Sequence, residues 1–548
     1  MARTVIDPIT RIEGHLRVEV EVDNGVVTDA WCSASSFRGM ELVVQNRTPS
    51  DAAQIVERIC GVCPVSHAHA SAIAAEDALG ITIPNNARII RNLIEGAQFL
   101  HSHILWFYNL AALDYVNPIN ALSANIGSAY ELVQQAGTSC DSDLSALAER
   151  LQKFYDNGQL SIFSGNWFDA EGGTAYKMPA ELDLICTAHY LEALKYQAKS
   201  SEIAALLGGK MPHVTTLIPG GTAFVPTMQK LDDLKALVDE VYDWCSRTLV
   251  QDTLALAPYY ADAFTFGKGP GRYLAFGVFQ DPSFEMKNRY MPSGELDTNL
   301  NLSDPDESKI TEYVGRSWYK GNGSYGTRDY TLEPEFTSYD VNDRYSWCKS
   351  PQYDGKPHEA TSLARVLAAY KRKVPFIVEH VNSMLSALGH PGDISVVQST
   401  LGRTAVRQIE TVYVAKLMQD WVQELMDALK GGDSSYFVEP ATNSGEGAGM
   451  WEAPRGALYH AEKVEKGMIK GYQIIIPTTW NLATINADGV HGPLEQALIG
   501  VPVDDIDKPI NCLRTVHSYD PCSSCSVHVT EPKSGKRFTT VTNPWGVK

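Results

Sequence analysis

Four cysteines, in two short pairs at opposite ends of a 548-residue chain, carry the most specific chemistry in this sequence. Cys60 and Cys63 form one Cys-x-x-Cys, with His67 just beyond. Cys522 and Cys525 form the other, with His528 just beyond. Three-residue spacing puts both sulfurs of a pair on one side of a single turn, so each pair can grip one soft metal. If the fold joins the pairs, four thiolates converge. Read alone, two such pairs suggest structural zinc, although zinc ribbons place theirs only ~15–20 residues apart. A thioredoxin-like redox pair fits less well, because neither motif follows a βαβ pattern. The other six cysteines, Cys32, Cys140, Cys186, Cys245, Cys348 and Cys512, are scattered singletons. They read as buried free thiols, not as a disulfide framework.

The elements that must position these residues are mostly helices. Leu16, Val18, Val20 and Val22 alternate with charged residues, which predicts a strand. Asn24-Gly25 predicts a type I′ hairpin turn, with 26–31 as the return strand. A helix capped by Ser50 or Asp51 is expected to deliver Cys60 at its end. Helices are predicted over 66–79, 86 to about 114, 181–207, 231 to about 255, 360–388 and 396–429. Residues 264–355 read as loops and short strands, 443–449 as a Gly-rich loop, and 457–464 with 468–476 as a hairpin. Charged residues make up 20% and hydrophobic residues 44%, ordinary for a globular protein. No repeat or flexible linker divides the chain, so one compact unit is expected. The net charge of -19 argues against nucleic acid or an anionic membrane as the main partner. No apolar run has membrane-spanning length. Residues 1–15 carry charges and no apolar core, so they do not read as a signal peptide.

The neighbours of the cysteines narrow the choice. Arg58, Cys60, Gly61, Cys63 and His67, with Asp520, Pro521, Cys522, Cys525 and His528, resemble the large subunit of nickel–iron hydrogenases. The same order includes Arg11 to His15, Arg38 to Glu41, Ala112 to Asp114, Gly209 to His213, Glu452 to Gly456 and Pro477 to Asn481. The resemblance implies an α+β, mostly α fold, with a central long-helix bundle and small peripheral β elements. It implies a nickel–iron centre on Cys60, Cys63, Cys522 and Cys525, with Cys63 and Cys525 bridging to an iron that carries carbonyl and cyanide ligands. Arg455 is expected over the site, with Pro454, Pro477 and Thr478 lining it and His67 as a nearby donor. A buried Arg455 needs a carboxylate, for which Asp114 and Asp520 are the candidates. Splitting H₂ heterolytically releases a proton. The resemblance makes Cys522 its first acceptor and Glu13 the relay, although a salt bridge with Arg11 is the plainer reading of Glu13. Glu41, the Ile474 carbonyl and His528 match a magnesium site.

No further cysteine cluster can hold iron–sulfur centres, so the resemblance implies an iron–sulfur small subunit as electron partner, with His213 facing it. Val62 and Leu110 can line a gas path or simply pack. In the family a protease removes a tail after nickel insertion. Here that means residues 1–528 as the catalytic unit and 529–548 as a removable extension. Maturation in the cytoplasm and carriage to the periplasm or membrane by the small subunit are implied. The tail favours a turnover enzyme over an H₂ sensor. The intact cysteines disfavour a respiratory-complex-type scaffold, and Cys522 stands where selenium-containing relatives carry selenocysteine. Pro64 replaces a threonine common in the family.

Overall fold

The computed structural model describes residues 2–160 and 175–523. Strands β1 (Ala2–Ile6), β2 (Leu16–Asp23) and β3 (Val26–Ala34) form an antiparallel sheet in that order. Asn24 and Gly25 sit at φ 51° and 76°, the left-handed pair that a type I′ turn requires, and Asp23 faces Val26 across it. The alternation holds except at Glu19, which is buried against Arg17.

Helix α1 (Pro49–Val56) tightens into a 3₁₀ turn (Glu57–Ile59) that ends at Cys60. Its cap is Thr48, two residues before Ser50 and three before Asp51, the expected caps. Thr48 Oγ1 accepts from the Asp51 amide at 3.1 Å, and Pro49 takes the first helical position, where no amide is needed. Helix α2 (Pro64–Leu79) starts directly after Cys63. Pro64 thus opens a helix, so the first Cys-x-x-Cys is framed by two helix ends.

Helix α3 (Asn85–Ile104) runs on as a π turn (Leu105–Ala111) and a 3₁₀ turn (Ala112–Asp114). The predicted helix is present, but its last turns widen and then tighten, as happens where a helix meets a functional site. Next come α4 (Ala180–Gly208), α5 (Met228–Leu256), α6 (Ser362–Lys371), α7 (Pro375–Ala387) and α8 (Thr400–Lys430). The expected helix over 360–388 is two helices, because Pro375 cannot continue the first. Helices α3 and α5 each pack on both α4 and α8, closing a four-helix ring. Residues 264–355 form loops and short strands, as predicted.

Strands β4 (Gly445–Ala453), β5 (Gly456–Glu465) and β6 (Met468–Ile475) form a second antiparallel sheet. The segment read as a Gly-rich loop is therefore mostly strand. Period two puts Gly445, Gly447 and Gly449 on one face. A Cβ on any of them would strike the backbone of Ala78, Ala74 or Ala70 on α2. Glycine on the strand and alanine on the helix let the two backbones lie together. The short helices α9 (Pro477–Asn481) and α10 (Ile510–Ser518) complete the frame. Among the described residues no helix is long and apolar enough to cross a membrane.

Candidate metal centre

Three of the four cysteines meet although 462 residues separate Cys60 from Cys522. The sulfurs of Cys60, Cys63 and Cys522 are buried and all lie within 4.8 Å of one another, with Cys60 Sγ 3.1 Å from Cys522 Sγ. Cys60 leaves the 3₁₀ turn in extended backbone, and the chain folds back so that the Val62 and Cys63 amides each donate to its sulfur at 3.3 Å. Cys522 is fixed from two sides. Its amide donates to Thr478 Oγ1 at 3.0 Å, and Glu13 and Cys522 form a parallel bridge in which the Ser523 amide donates to the Glu13 carbonyl at 2.7 Å. That bridge sets Glu13 Oε2 3.1 Å from Cys522 Sγ. Glu13 is half-buried, more open than a relay sealed in the core. Cys525 and His528 lie outside the described residues, as does the 529–548 tail.

The carboxylate of Arg455 is Asp520, not Asp114. Arg455 Nε lies 3.2 Å from Asp520 Oδ1, and both side chains are buried. Burial opposes the Arg455 charge, but Asp520, and after it the Cys522, Cys63 and Cys60 sulfurs, hold its pKa well above the ordinary value. Asp520 also accepts from Arg407 Nη2 at 2.6 Å, and Arg407 Nε donates to His103 Nδ1 at 2.7 Å. His103 Nε2 is 3.2 Å from Glu410. Glu410 takes a two-pronged bond from Arg365, whose third nitrogen reaches Glu452 at 2.9 Å and whose Nη2 reaches the Pro454 carbonyl at 2.7 Å. This buried chain of alternating charge holds the Glu452 to Gly456 turn against α8 and points Arg455 at the sulfurs.

Asp114 serves Arg11 and His517, each at 2.5 Å. Arg11 is thereby tied to Asp114 and to the Leu110 carbonyl. His67 is fully buried, and burial pushes its pKa down to about 4. His67 Nδ1 lies 3.1 Å from His460 Nε2, and His460 Nδ1 lies 2.8 Å from the Tyr472 hydroxyl, which bonds Ser71. Among the described residues, His67 Nε2 and Arg455 Nη1 have no hydrogen-bond partner. Because Tyr472 donates to Ser71, the neutral His460 donates to Tyr472 and accepts from His67 Nδ1, so His67 Nε2 is a bare acceptor and not the expected donor. Arg455 Nη1, a buried donor without a protein acceptor beside three converging thiols, fits a metal carrying small anionic ligands. Pro454, Pro477 and Thr478 are buried, and Thr478 bonds the Cys522 amide.

Glu41 and Ile474 line one cavity of about 50 Å³ with Lys349, whose charge is met by Glu312 at 2.6 Å. A water needs roughly 15 Å³ of such space, so a small ion with two or three waters fits. His213 is half-exposed, and burial, with Arg58 and Lys210, lowers its pKa. The apolar cavity beside Tyr108, Ala112 and Leu113, about 270 Å³, is lined by neither Val62 nor Leu110. Sequence reasoning missed Arg365, Arg407, Glu410, His103, His460 and Tyr472. The available signal was Arg403, Arg407 and Glu410, spaced to share one face of a helix whose first half carries no other charge.

Fold and site together define an enzyme whose buried cysteines converge from the two ends of the chain beneath an arginine. Comparison with known proteins agrees. The sequence profile described as "Nickel-dependent hydrogenase" matches residues 38–528, and one described as "HoxL-like" matches 3–37. The chain is 37% identical to the hydrogenase-2 large chain of Escherichia coli K12, over 96% of this chain and 97% of that one. It is 36% identical to the uptake hydrogenase large subunit of Rhodobacter capsulatus, over 98% and 97%. Its fold matches the reduced Ni-Fe-Se hydrogenase of D. vulgaris Hildenborough with TM-score 0.80 at 33% identity, over 96% of this chain and 100% of that one. A reduced, active Ni-Fe-Se hydrogenase from Desulfomicrobium baculatum gives 0.78 at 33%, over the same shares. The chain belongs to the nickel-dependent hydrogenase family as a large, catalytic subunit, an oxidoreductase acting on H₂.

Proposed function

We propose that Cys60, Cys63, Cys522 and Cys525 hold a nickel–iron centre, with Cys63 and Cys525 shared between the metals. When bound, the pair with its carbonyl and cyanide ligands supplies the Lewis-acid and redox chemistry for H₂ ⇌ 2H⁺ + 2e⁻. The chain's own residues manage the proton and the surroundings. Cys522 Sγ takes the proton and passes it 3.1 Å to Glu13 Oε2, the observation that carries this reading. Arg455, anchored by Asp520, keeps a positive charge over the site and excludes water. Thr478 accepts the Cys522 amide on its oxygen and keeps its own proton to donate to a cyanide nitrogen. His67, held through Nδ1 by His460, packs beside the cysteines as a positioning residue. Asp114 acts through Arg11, two residues from Glu13, as a positioning residue.

Electrons leave through an iron–sulfur small subunit in a heterodimer, with His213 facing it. Glu41, the Ile474 carbonyl and His528 bind magnesium. A maturation protease cuts the His528–Val529 bond after nickel-insertion factors have loaded the chain, and the small subunit carries the product to the periplasm or membrane. A structural zinc site would use the same thiols but has no use for Glu13 beside Cys522 or Arg455 above it. The decisive variant is Glu13→Gln. It keeps nickel and iron but loses at least about 100-fold in H₂ oxidation, a loss in the range of a removed acid–base group. Turnover near that of the parent enzyme would remove Glu13 from the relay.

A further inference from the structure

A second group of metal-ligating side chains stands apart from the residues assigned above. Cys140, His189 and Glu192 each offer a ligand atom, and these lie within 4.8 Å of one another. His189 and Glu192 are three residues apart on α4, so they share one face. Cys140 comes from the connection between the helices Ile126–Ala136 and Leu144–Asp156. The sequence reads Cys140 as a buried thiol, yet it is only half-buried, while His189 and Glu192 are buried behind it. A cation therefore has a way in.

The geometry points to a binding site for a divalent cation of the zinc class, held by Cys140 Sγ, His189 Nε2 and a Glu192 carboxylate oxygen, with water as the fourth ligand. Cys140 Sγ and Glu192 Oε1 are 3.7 Å apart. Zinc bonds of about 2.3 Å to sulfur and 2.0 Å to oxygen, at a tetrahedral angle, set those atoms about 3.5 Å apart. Behind the histidine stands the support a metal-bound imidazole uses. His189 Nδ1 donates to Asp252 Oδ2 at 2.7 Å, which fixes the ring and turns Nε2 toward the cysteine side. Asp252 is itself held by the Tyr108 hydroxyl at 2.8 Å and Thr138 Oγ1 at 3.2 Å. Glu192 is aligned by the Ser142 amide at 2.8 Å and Trp244 Nε1 at 2.9 Å.

In the metal-free arrangement His189 Nε2 donates to the Ser139 carbonyl at 2.8 Å. Both ring nitrogens then carry protons, since Asp252 and that carbonyl only accept. Binding the cation releases the Nε2 proton and the Cys140 thiol proton, frees the Ser139 carbonyl and replaces both protons with metal bonds. The donors match zinc or cobalt(II) better than magnesium or calcium, which want oxygen throughout.

The test compares the purified hydrogenase with its Cys140→Ser variant, each dialysed against zinc and then against metal-free buffer. The parent should retain one more zinc per chain than the variant, with equal H₂ oxidation. Cobalt(II) should give the parent a near-ultraviolet thiolate-to-cobalt band that the variant lacks. Equal zinc and identical cobalt spectra would overturn the proposal. A second measurement needs no variant. Peptide mass spectrometry follows alkylation of Cys140 by iodoacetamide in the unmutated enzyme, with and without zinc. Zinc should slow it by at least about tenfold, because a metal-bound thiolate is withdrawn from attack. An unchanged rate would overturn the proposal.

Discussion

Asp114 shows how a single residue's surroundings set its contribution. Burial alone would raise its pKa, but Arg11 and then His517 outweigh burial and hold the carboxyl at about 2, against an ordinary 3.8. A depressed pKa adds stability above the unfolded value, and that stability is lost as pH falls through the folded one. At neutral pH the shift is worth about 2 kcal/mol. Asp114→Asn should therefore lower the thermal midpoint at pH 7, and the gap to the parent should close between about pH 4 and pH 2. A gap that stays constant with pH would contradict the ion pairs. Arg455→Lys tests the neighbouring feature. Lysine keeps the charge but loses the planar fork, so we expect normal metal content and at least about tenfold slower turnover, read by H₂-dependent dye reduction. The cysteine pairs, Glu13 and Arg455 were legible because short motifs carry them. His103 was not, since a polar residue on a long helix reads the same whether it faces water or a buried partner.

At the scale of elements, the sheet β4–β6 positions the site by pressing on α2, the helix that begins at Cys63. The Gly445, Gly447 and Gly449 face makes that contact possible. Gly447→Val should cost about 3 kcal/mol through overpacking, seen as a lower thermal midpoint, and should reduce nickel retention as α2 shifts. The sequence reading took these glycines for a loop, because glycine signals a turn far more often than a strand lying against a helix backbone. The helices were legible from their apolar content, their caps and their glycine stops. Pro375 signals the break before it, which the single expected helix passed over, whereas the π turn after Ile104 follows from packing at the site and was not legible. Glu410→Gln, measured the same way, should cost about 3–5 kcal/mol, because it leaves Arg365 and His103 underpaired in the core.

At the scale of the molecule, the two ends of the chain are brought together at one point. Strand β1 pairs with β2, the loop after it carries Glu13, and Glu13 bridges directly to Cys522. The four-helix ring supplies the rigid wall behind them. The alternation of elements and the ordinary composition made a mostly helical, single-unit fold legible. They gave no sign of which helices would be neighbours, since that depends on contacts hundreds of residues apart. We propose that this convergence holds nickel and iron, not zinc. Intact mass combined with metal analysis of the purified chain tests it most directly. We expect a chain ending at His528 with one nickel and one iron. A single zinc bound through the four cysteines, with no nickel even when maturation factors are supplied, would contradict it.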